Sequence, residues 1–256
     1  MTIFDEKKYA ERILKQKEYG TLKNQGREKC VLVRYFYNQG YSHDEIVHAL
    51  LKLNMHNDTN YLSKDKLKII YERIIDKALK YDLIYDIKVD IYKSEVDVIN
   101  SIDDELEKKL LFIYLVYYKW ASQVSYLRFY SKKNNIMTVV NNDKGIWKIA
   151  GLDKLRLKDR YVLSGNLLKQ GLYAEDNFKK YNYFYIPFAT DSGDLAFTIT
   201  NYDNLFGELE LYNGDVSLIR CSNCGVVMKK INNKHKYCNF CARIINIEKT
   251  KQRKLK

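Results

Sequence analysis

Proline occurs once in 256 residues, glycine eleven times and histidine four times, and no apolar run approaches the length of a membrane span. Each scarcity excludes something. The single proline, set beside 23 tyrosines and many Lys, Asn and Ile, fits an AT-rich coding genome and carries no chemistry. Tyrosine is as much at home in ordinary cores and surfaces as on base-stacking platforms, so its abundance carries little weight. The glycines form no phosphate-cradling loop or nucleophile elbow, and the histidines build no His-carboxylate zinc motif. His43, His48, His56 and His235 read as surface or capping residues; only His235 stands where a shifted hairpin register would let it replace a cysteine ligand. The short apolar runs exclude a membrane-spanning helix. The opening Met-Thr-Ile-Phe-Asp-Glu-Lys-Lys lacks the basic-then-apolar order of a secretory signal, so a cytoplasmic protein is expected. With no catalytic motif, a protein that is not an enzyme is expected.

What the chain does have is cysteine in a pattern. Cys221-Ser-Asn-Cys224 and Cys238-Asn-Phe-Cys241 are two CxxC pairs with thirteen residues between them. A CxxC turn puts two soft thiolates on one side of a knuckle, and two knuckles a short hairpin apart complete a closed tetrahedral Zn2+ site. With Cys221, Cys224, Cys238 and Cys241 filling all four positions, no water position stays open, so one structural zinc is expected. Gly225 relieves backbone crowding after the first pair, and Asn232-Asn233 tolerates left-handed turn geometry. The second pair runs into Ala242-Arg-Ile-Ile-Asn-Ile-Glu-Lys, which reads as helix. That makes a treble-clef-like knuckle, hairpin and helix at least as good a reading as an all-strand ribbon. Cys30 sits in an apolar helical run and reads as a buried, inert thiol. Reduced thiols and zinc both fit a reducing compartment.

Charge is distributed as unevenly as cysteine. Eleven Lys or Arg fall between Arg220 and Lys256 against Glu248 alone, a net +10 in a chain whose total is +12. A metal-stapled basic platform suits a polyanion, because each neutralised phosphate releases counterions. The cations expected to touch nucleic acid there are Lys229, Lys230, Lys234 and Lys236 around the hairpin, then Arg243, Lys249, Lys251, Arg253 and Lys254 along the helix. The plain alternative is a small zinc-stapled module with a solvated tail.

Upstream, helical periodicity dominates. Residues 5–19 read as an amphipathic helix, 27–39 as a second one ending at Gly40, and Ser42-His-Asp-Glu45 as a capping box opening a third. Helix, glycine turn and capped helix make a helix-turn-helix-like unit, although helical hairpins in general look like this. Ser63 opens a further helix to about 81. Residues 82–107 carry nine acids against Lys88 and Lys93. Asp103 and Asp104 could hold Mg2+, but adjacent acids at a helix start are more simply dipole-favourable charge. Residues 106–124 give the clearest core helix, with Leu110, Ile113, Tyr117 and Trp120 at helical steps.

A basic, Asn-rich loop near 131–144, a short helix at 146–150, a turn at Gly151-Leu-Asp153 and a longer helix from 154 to 170 follow. Strands at 172–175 and 183–188 flank a polar tip, Asp176 to Asn182. That order describes a winged helix, whose third helix would enter the major groove. Its expected contacts are Lys154, Arg156, Lys158 and Arg160, with Lys179 and Lys180 on the wing. A protein-interaction module of the same layout would carry these cations as an ordinary solvated face. Residues 186–219 contain no Lys or Arg and six acids, and read as an acidic connector that docks on the basic module when nucleic acid is absent.

Gly40-Tyr-Ser-His-Asp-Glu-Ile46, the Trp120 helix, Leu167-Leu-Lys-Gln-Gly-Leu172, Ile219-Arg-Cys-Ser-Asn-Cys-Gly225 and Lys236-Tyr-Cys-Asn-Phe-Cys241 together resemble winged-helix/zinc-ribbon proteins of Firmicutes phages and mobile elements. The resemblance spans residues 28–245 and implies a mobile-element setting in a bacterial host and the same zinc ligand set. The expectation is therefore a mainly α (α+β) protein: helical domain 1–103, winged-helix-like domain 104–190, connector 191–219 and zinc module 220–256. It would bind double-stranded DNA in a regulatory or replication-accessory role. The rival is an inhibitor that binds a host protein of a defence or transcription complex.

Overall fold

Helix starts along this chain are fixed by short polar side chains that take up the orphan amides of a first turn. The computed structural model describes residues 4–16, 25–54, 63–124, 130–133, 136–140, 143–178 and 181–254. It divides into two units with the boundary between residues 87 and 88.

The first unit is helical: α1 (Glu6–Gln16), α2 (Gln25–Asn38), α3 (His43–Asn54) and α4 (Lys64–Ala78). The capping box forms as expected. Ser42 N donates to Glu45 Oε2 at 2.7 Å, and Glu45 N donates to Ser42 Oγ at 3.4 Å. Ser63 caps α4 by accepting from the Lys66 amide. Gly40 turns the chain between α2 and α3 at φ 86°, where a side chain would be strained. Ala10 and Ile13, Val31, Leu32 and Phe36, Ile46 and Leu50, and Tyr71 and Ile75 close one core from the four helices, with Cys30 half-buried against it. Arg34 is buried in that unit and donates to Glu6 from Nε at 2.9 Å, while the Ile84 amide also donates to Glu6.

The second unit begins with β1 (Val89–Tyr92), α5 (Lys93–Asn100) and α6 (Glu105–Gln123). There follow β2 (Tyr130–Lys133), β3 (Ile136–Val140), α7 (Asp143–Ile149), α8 (Leu157–Lys169), β4 (Ala174–Phe178) and β5 (Tyr181–Tyr185). It ends with β6 (Leu195–Ile199), α9 (Leu205–Tyr212), β7 (Leu218–Arg220), β8 (Val227–Lys229) and α10 (Asn239–Lys254). Helix α6 is the hub. It is buried on nearly every side from Leu110 to Tyr117, as a helix apolar all round must be. Tyr114, Tyr173 and Phe184 join α6 to the wall of the four-stranded sheet with ring centroids 4.8 to 5.5 Å apart. That sheet has the order β2-β3-β5-β4, all pairs antiparallel, and β1 pairs separately with β6. Buried Lys119 of α6 holds Glu95 of α5 at 2.9 Å and the Thr190 carbonyl at 2.7 Å.

A mainly helical protein with small antiparallel sheets was expected, and several details differ. The first boundary falls at 87, not 103, because β1 and α5 are claimed by the second unit through Val89 opposite Ile199. The loop expected at 131–144 contains β2 and β3. The acidic connector expected at 191–219 is folded, containing β6 and α9. Helix α8 starts three residues later than expected, with Arg156 extended as its N-cap. Strands β4 and β5 pair as far as Phe178 opposite Tyr181, tighter than the expected tip; Lys179 and Lys180 lie outside the described residues. Asp104 is the N-cap of α6, accepting from the Leu106 and Glu107 amides at 2.9 Å, which is the helix-start role. No helix among the described residues is long and apolar enough to cross a membrane.

Candidate metal centre

The hairpin of β7 and β8 carries the first cysteine pair in its turn. Cys221 N donates to the Val226 carbonyl and Gly225 N to the Cys221 carbonyl, both at 2.9 Å, and Gly225 closes the knuckle at φ 73°. The chain then returns so that Ser222 N donates to the Lys236 carbonyl at 2.9 Å, laying residues 236–238 against the knuckle. Helix α10 opens directly after Cys238, with Ala242 N donating to the Cys238 carbonyl at 2.9 Å. The second pair is therefore at a helix start, where the dipole favours thiolate.

All four Sγ atoms lie within 4.8 Å of one another, and Cys224 and Cys238 are 3.8 Å apart. A tetrahedral ion with metal–sulfur bonds of about 2.3 Å has sulfurs about 3.8 Å apart. The donor set thus fits the geometry of a tetrahedral ion and can hold a metal such as zinc. Cys221 and Cys241 are buried, whereas Cys224 is exposed. Backbone N–H groups are aimed at sulfur: Cys238 N at Cys221 Sγ at 3.3 Å and Cys241 N at Cys238 Sγ at 3.4 Å. Asn223 Nδ2 donates to Cys241 Sγ at 3.3 Å. Such contacts orient ligands and stabilise their charge.

The thiols differ in acidity. Burial opposes ionisation of Cys221, but the backbone N–H groups of Cys238, Cys224 and Asn223 outweigh it and bring its pKa down to about 6. Burial pushes Cys224 up to about 12, and burial likewise raises Cys241. Four thiolates this close repel one another; a divalent ion lets all four stay deprotonated. Among the described residues this is the one group of three or more His, Cys, Asp or Glu able to hold a metal, so Asp103 and Asp104 have no such cluster. His235 does not join this cluster; its Nδ1 accepts from the Ile231 amide at 3.3 Å.

The module is fastened to α9 and the turn before it. Asn201 Nδ2 donates to the Cys224 carbonyl at 3.1 Å and Asn204 Nδ2 to the Val227 carbonyl at 3.0 Å. Arg220 pairs with buried Glu208 at 2.6 Å. Asn223 could have been suspected from its place inside a CxxC pair, but nothing local marks Asn201, Asn204 or Glu208.

The cations expected to meet nucleic acid fall into two groups. Lys229, Lys230, Lys234, Lys236, Arg243 and Lys249 are all exposed, and Lys251, Arg253 and Lys254 continue along α10. Around α8, Lys154 and Lys158 are exposed, Arg156 pairs with Asp159 at 2.9 Å, and Arg160 is turned inward. Arg160 donates to the carbonyls of Leu155 and Asp153 and lies over the Trp147 ring. The outer face of α8 is mixed, with Leu157, Val162, Leu168 and a 69% exposed Tyr161 beside exposed Lys158 and Lys169.

Comparison with known proteins adds no relative: no family model, curated protein or solved structure matches this chain.

Proposed function

We propose that this chain is a zinc-containing, non-enzymatic nucleic-acid-binding protein whose four-cysteine module contacts phosphates. The observation that carries the reading is an uncompensated basic surface on a rigid support. Lys229, Lys230, Lys234, Lys236, Arg243 and Lys249 are exposed on the cysteine module, and none forms an ion pair among the described residues; Lys229 lies near the Asp215 carboxylate. Such clustering costs self-repulsion unless a polyanion relieves it. The knuckle, hairpin and helix-borne second pair support the treble-clef-like form of the module over an all-strand ribbon. Zinc supplies structure here, since all four ligand positions are cysteine.

The order α6, β2, β3, α7, α8, β4, β5, with β5 between β3 and β4 and β2 added at the sheet edge, supports a winged helix in residues 104–190. Its third helix is a poorer groove reader than the basic sequence suggests, because Arg156 and Arg160 are engaged within the chain. Phosphate contact is therefore assigned first to the zinc module. A regulatory or replication-accessory role, in the mobile-element setting that the sequence resemblance implies, goes with this reading. The second reading, a module that binds a host protein, is favoured by the exposed apolar side chains Leu157, Tyr161, Val162 and Leu168 on α8.

One experiment separates them: anisotropy of labelled random duplex across a salt series, with the metal-loaded intact chain and with Lys229→Gln, Lys230→Gln, Lys234→Gln and Lys236→Gln combined. Substitution is preferable to truncation, because removing the module would strip Asn201, Asn204 and Glu208 of their partners. Each phosphate contact contributes about 0.9 to the log–log slope on duplex, so the slope should flatten by about 3 to 4. An unchanged slope sinks the phosphate assignment. Absence of binding by the intact chain leaves the protein-binding reading.

A further inference from the structure

Between two metal-ligand positions, at the start of α10, stands Phe240, 63% exposed. Among the described residues it is the one phenylalanine in the exposed class. An exposed tyrosine can hydrate its hydroxyl; a phenylalanine has no polar tip, so most of this ring meets water at a cost of the kind that burial normally recovers. Tyr237, 37% exposed, precedes Cys238, and exposed Ile231 lies in the return from β8. Tyr237 and Phe240 flank Cys238 where the second pair meets the first knuckle. Residues 236–238 are bonded to the first knuckle through Lys236, and Phe240 lies between Cys238 and Cys241.

We propose that the ligand of this module is single-stranded nucleic acid, whose bases stack on Phe240 and Tyr237 while Lys229, Lys230, Lys234, Lys236 and Arg243 follow the backbone. The inference rests on the nucleic-acid reading above and names its substrate class. Charge complementarity selects a polyanion, since these five exposed cations lie on the same short module. The aromatic pair selects the strand form. In a duplex the base faces are covered by their neighbours, so a projecting ring finds only phosphate and sugar; in a single strand every base offers a π-face, and cations beside aromatic platforms are the recurring solution. A protein partner fits less well, because lysine is depleted at the cores of protein interfaces, and four exposed lysines lie on the same short stretch as these apolar side chains.

The test uses the full metal-loaded chain and two labelled probes of equal length, oligo-dT and a mixed-sequence duplex, at one fixed salt concentration. The intact chain should bind oligo-dT more tightly than duplex. Phe240→Ala should lose about 5- to 150-fold on oligo-dT, the range expected for one base-stacking contact. Its duplex affinity should change less than twofold, and its metal content should be unchanged. Phe240→Trp should retain oligo-dT affinity, with indole fluorescence quenched on binding. Equal or tighter duplex binding, or a Phe240→Ala variant that retains oligo-dT affinity, overturns this inference and leaves the phosphate-contact reading standing. No binding to either probe overturns both.

Discussion

Glu208 illustrates how a single residue couples the metal module to the rest of its unit. Its carboxylate is buried under α9, and the one cation against it is Arg220, 44% exposed, at the end of β7. Burial holds the Glu208 carboxyl above the ordinary glutamate range, and the Arg220 hydrogen bond and charge pull it back only in part. Folded Glu208 therefore binds its proton more tightly than the unfolded chain does. Its contribution to stability falls as pH rises from the ordinary glutamate value through the raised folded one, and returns on acidification through the same window. Arg220→Ala removes the compensating charge and leaves a buried carboxylate alone. The expected cost near neutral pH is about 3 kcal/mol, at the low end for a broken buried pair because water reaches Arg220. Acidification through the glutamate range should restore much of it. Glu208→Gln keeps the shape without the charge and should cost less than Arg220→Ala. Urea titrations of both variants at neutral and acid pH would decide: an Arg220→Ala loss that does not shrink with acidification refutes the account.

At the scale of elements, two glycines in and after α8 should respond in opposite directions to the same substitution. Gly171 ends the helix at φ 69°, with Leu172 N donating to the Leu167 carbonyl at 3.1 Å, and nothing within 4 Å would touch an added Cβ. The cost of Gly171→Ala is thus pure backbone strain, about 1 kcal/mol. Gly165 lies inside the helix, also with open space around it and without a positive φ. Gly165→Ala should stabilise by about 0.5 to 1 kcal/mol through helix propensity. Denaturant midpoints of the two variants check the pair, and same-sign shifts would contradict it. Both effects can be read from sequence, since a glycine just past a helical run stops it and one inside weakens it, and helix signals are local. The strands were not all so. The Val89 and Ile199 partners lie over a hundred residues apart, β6 sits in an acid-rich stretch, and Lys132 and Lys133 of β2 read as loop. Pairing of that kind is decided by distant partners, which periodicity in a short window does not contain. The ligand cysteines were legible for the opposite reason, since CxxC spacing encodes the turn itself. The partners of Arg160 were not legible, because the carbonyls and indole that hold it are recognisable only once α7 and the following turn are folded.

At the scale of the molecule, the cysteine cluster belongs to one of two units, and removal of a metal held there should be felt in that unit. The first unit closes a core of its own with α1 to α4. In the second, the ligand knuckle is bonded to Asn201 and Asn204, and α9 contacts both strands of the hairpin as well as α6. Metal bound only to the folded state adds its binding energy to that unit's stability, and four thiols forced together without a cation repel. Stripping with a strong chelator, or Cys241→Ser, should therefore strip hydrogen-exchange protection from the amides of Cys221, Cys238 and Ala242, and then from α9 beneath them. The amides of Val31 to Phe36 in the first unit should exchange as before. Exchange measured by mass spectrometry on the full chain, with and without metal, reads both units at once. Uniform loss across both would show that the metal supports the whole chain as one cooperative body; loss confined to residues 221–242 would show that Asn201, Asn204 and Glu208 do not transmit the metal's stabilisation to α9.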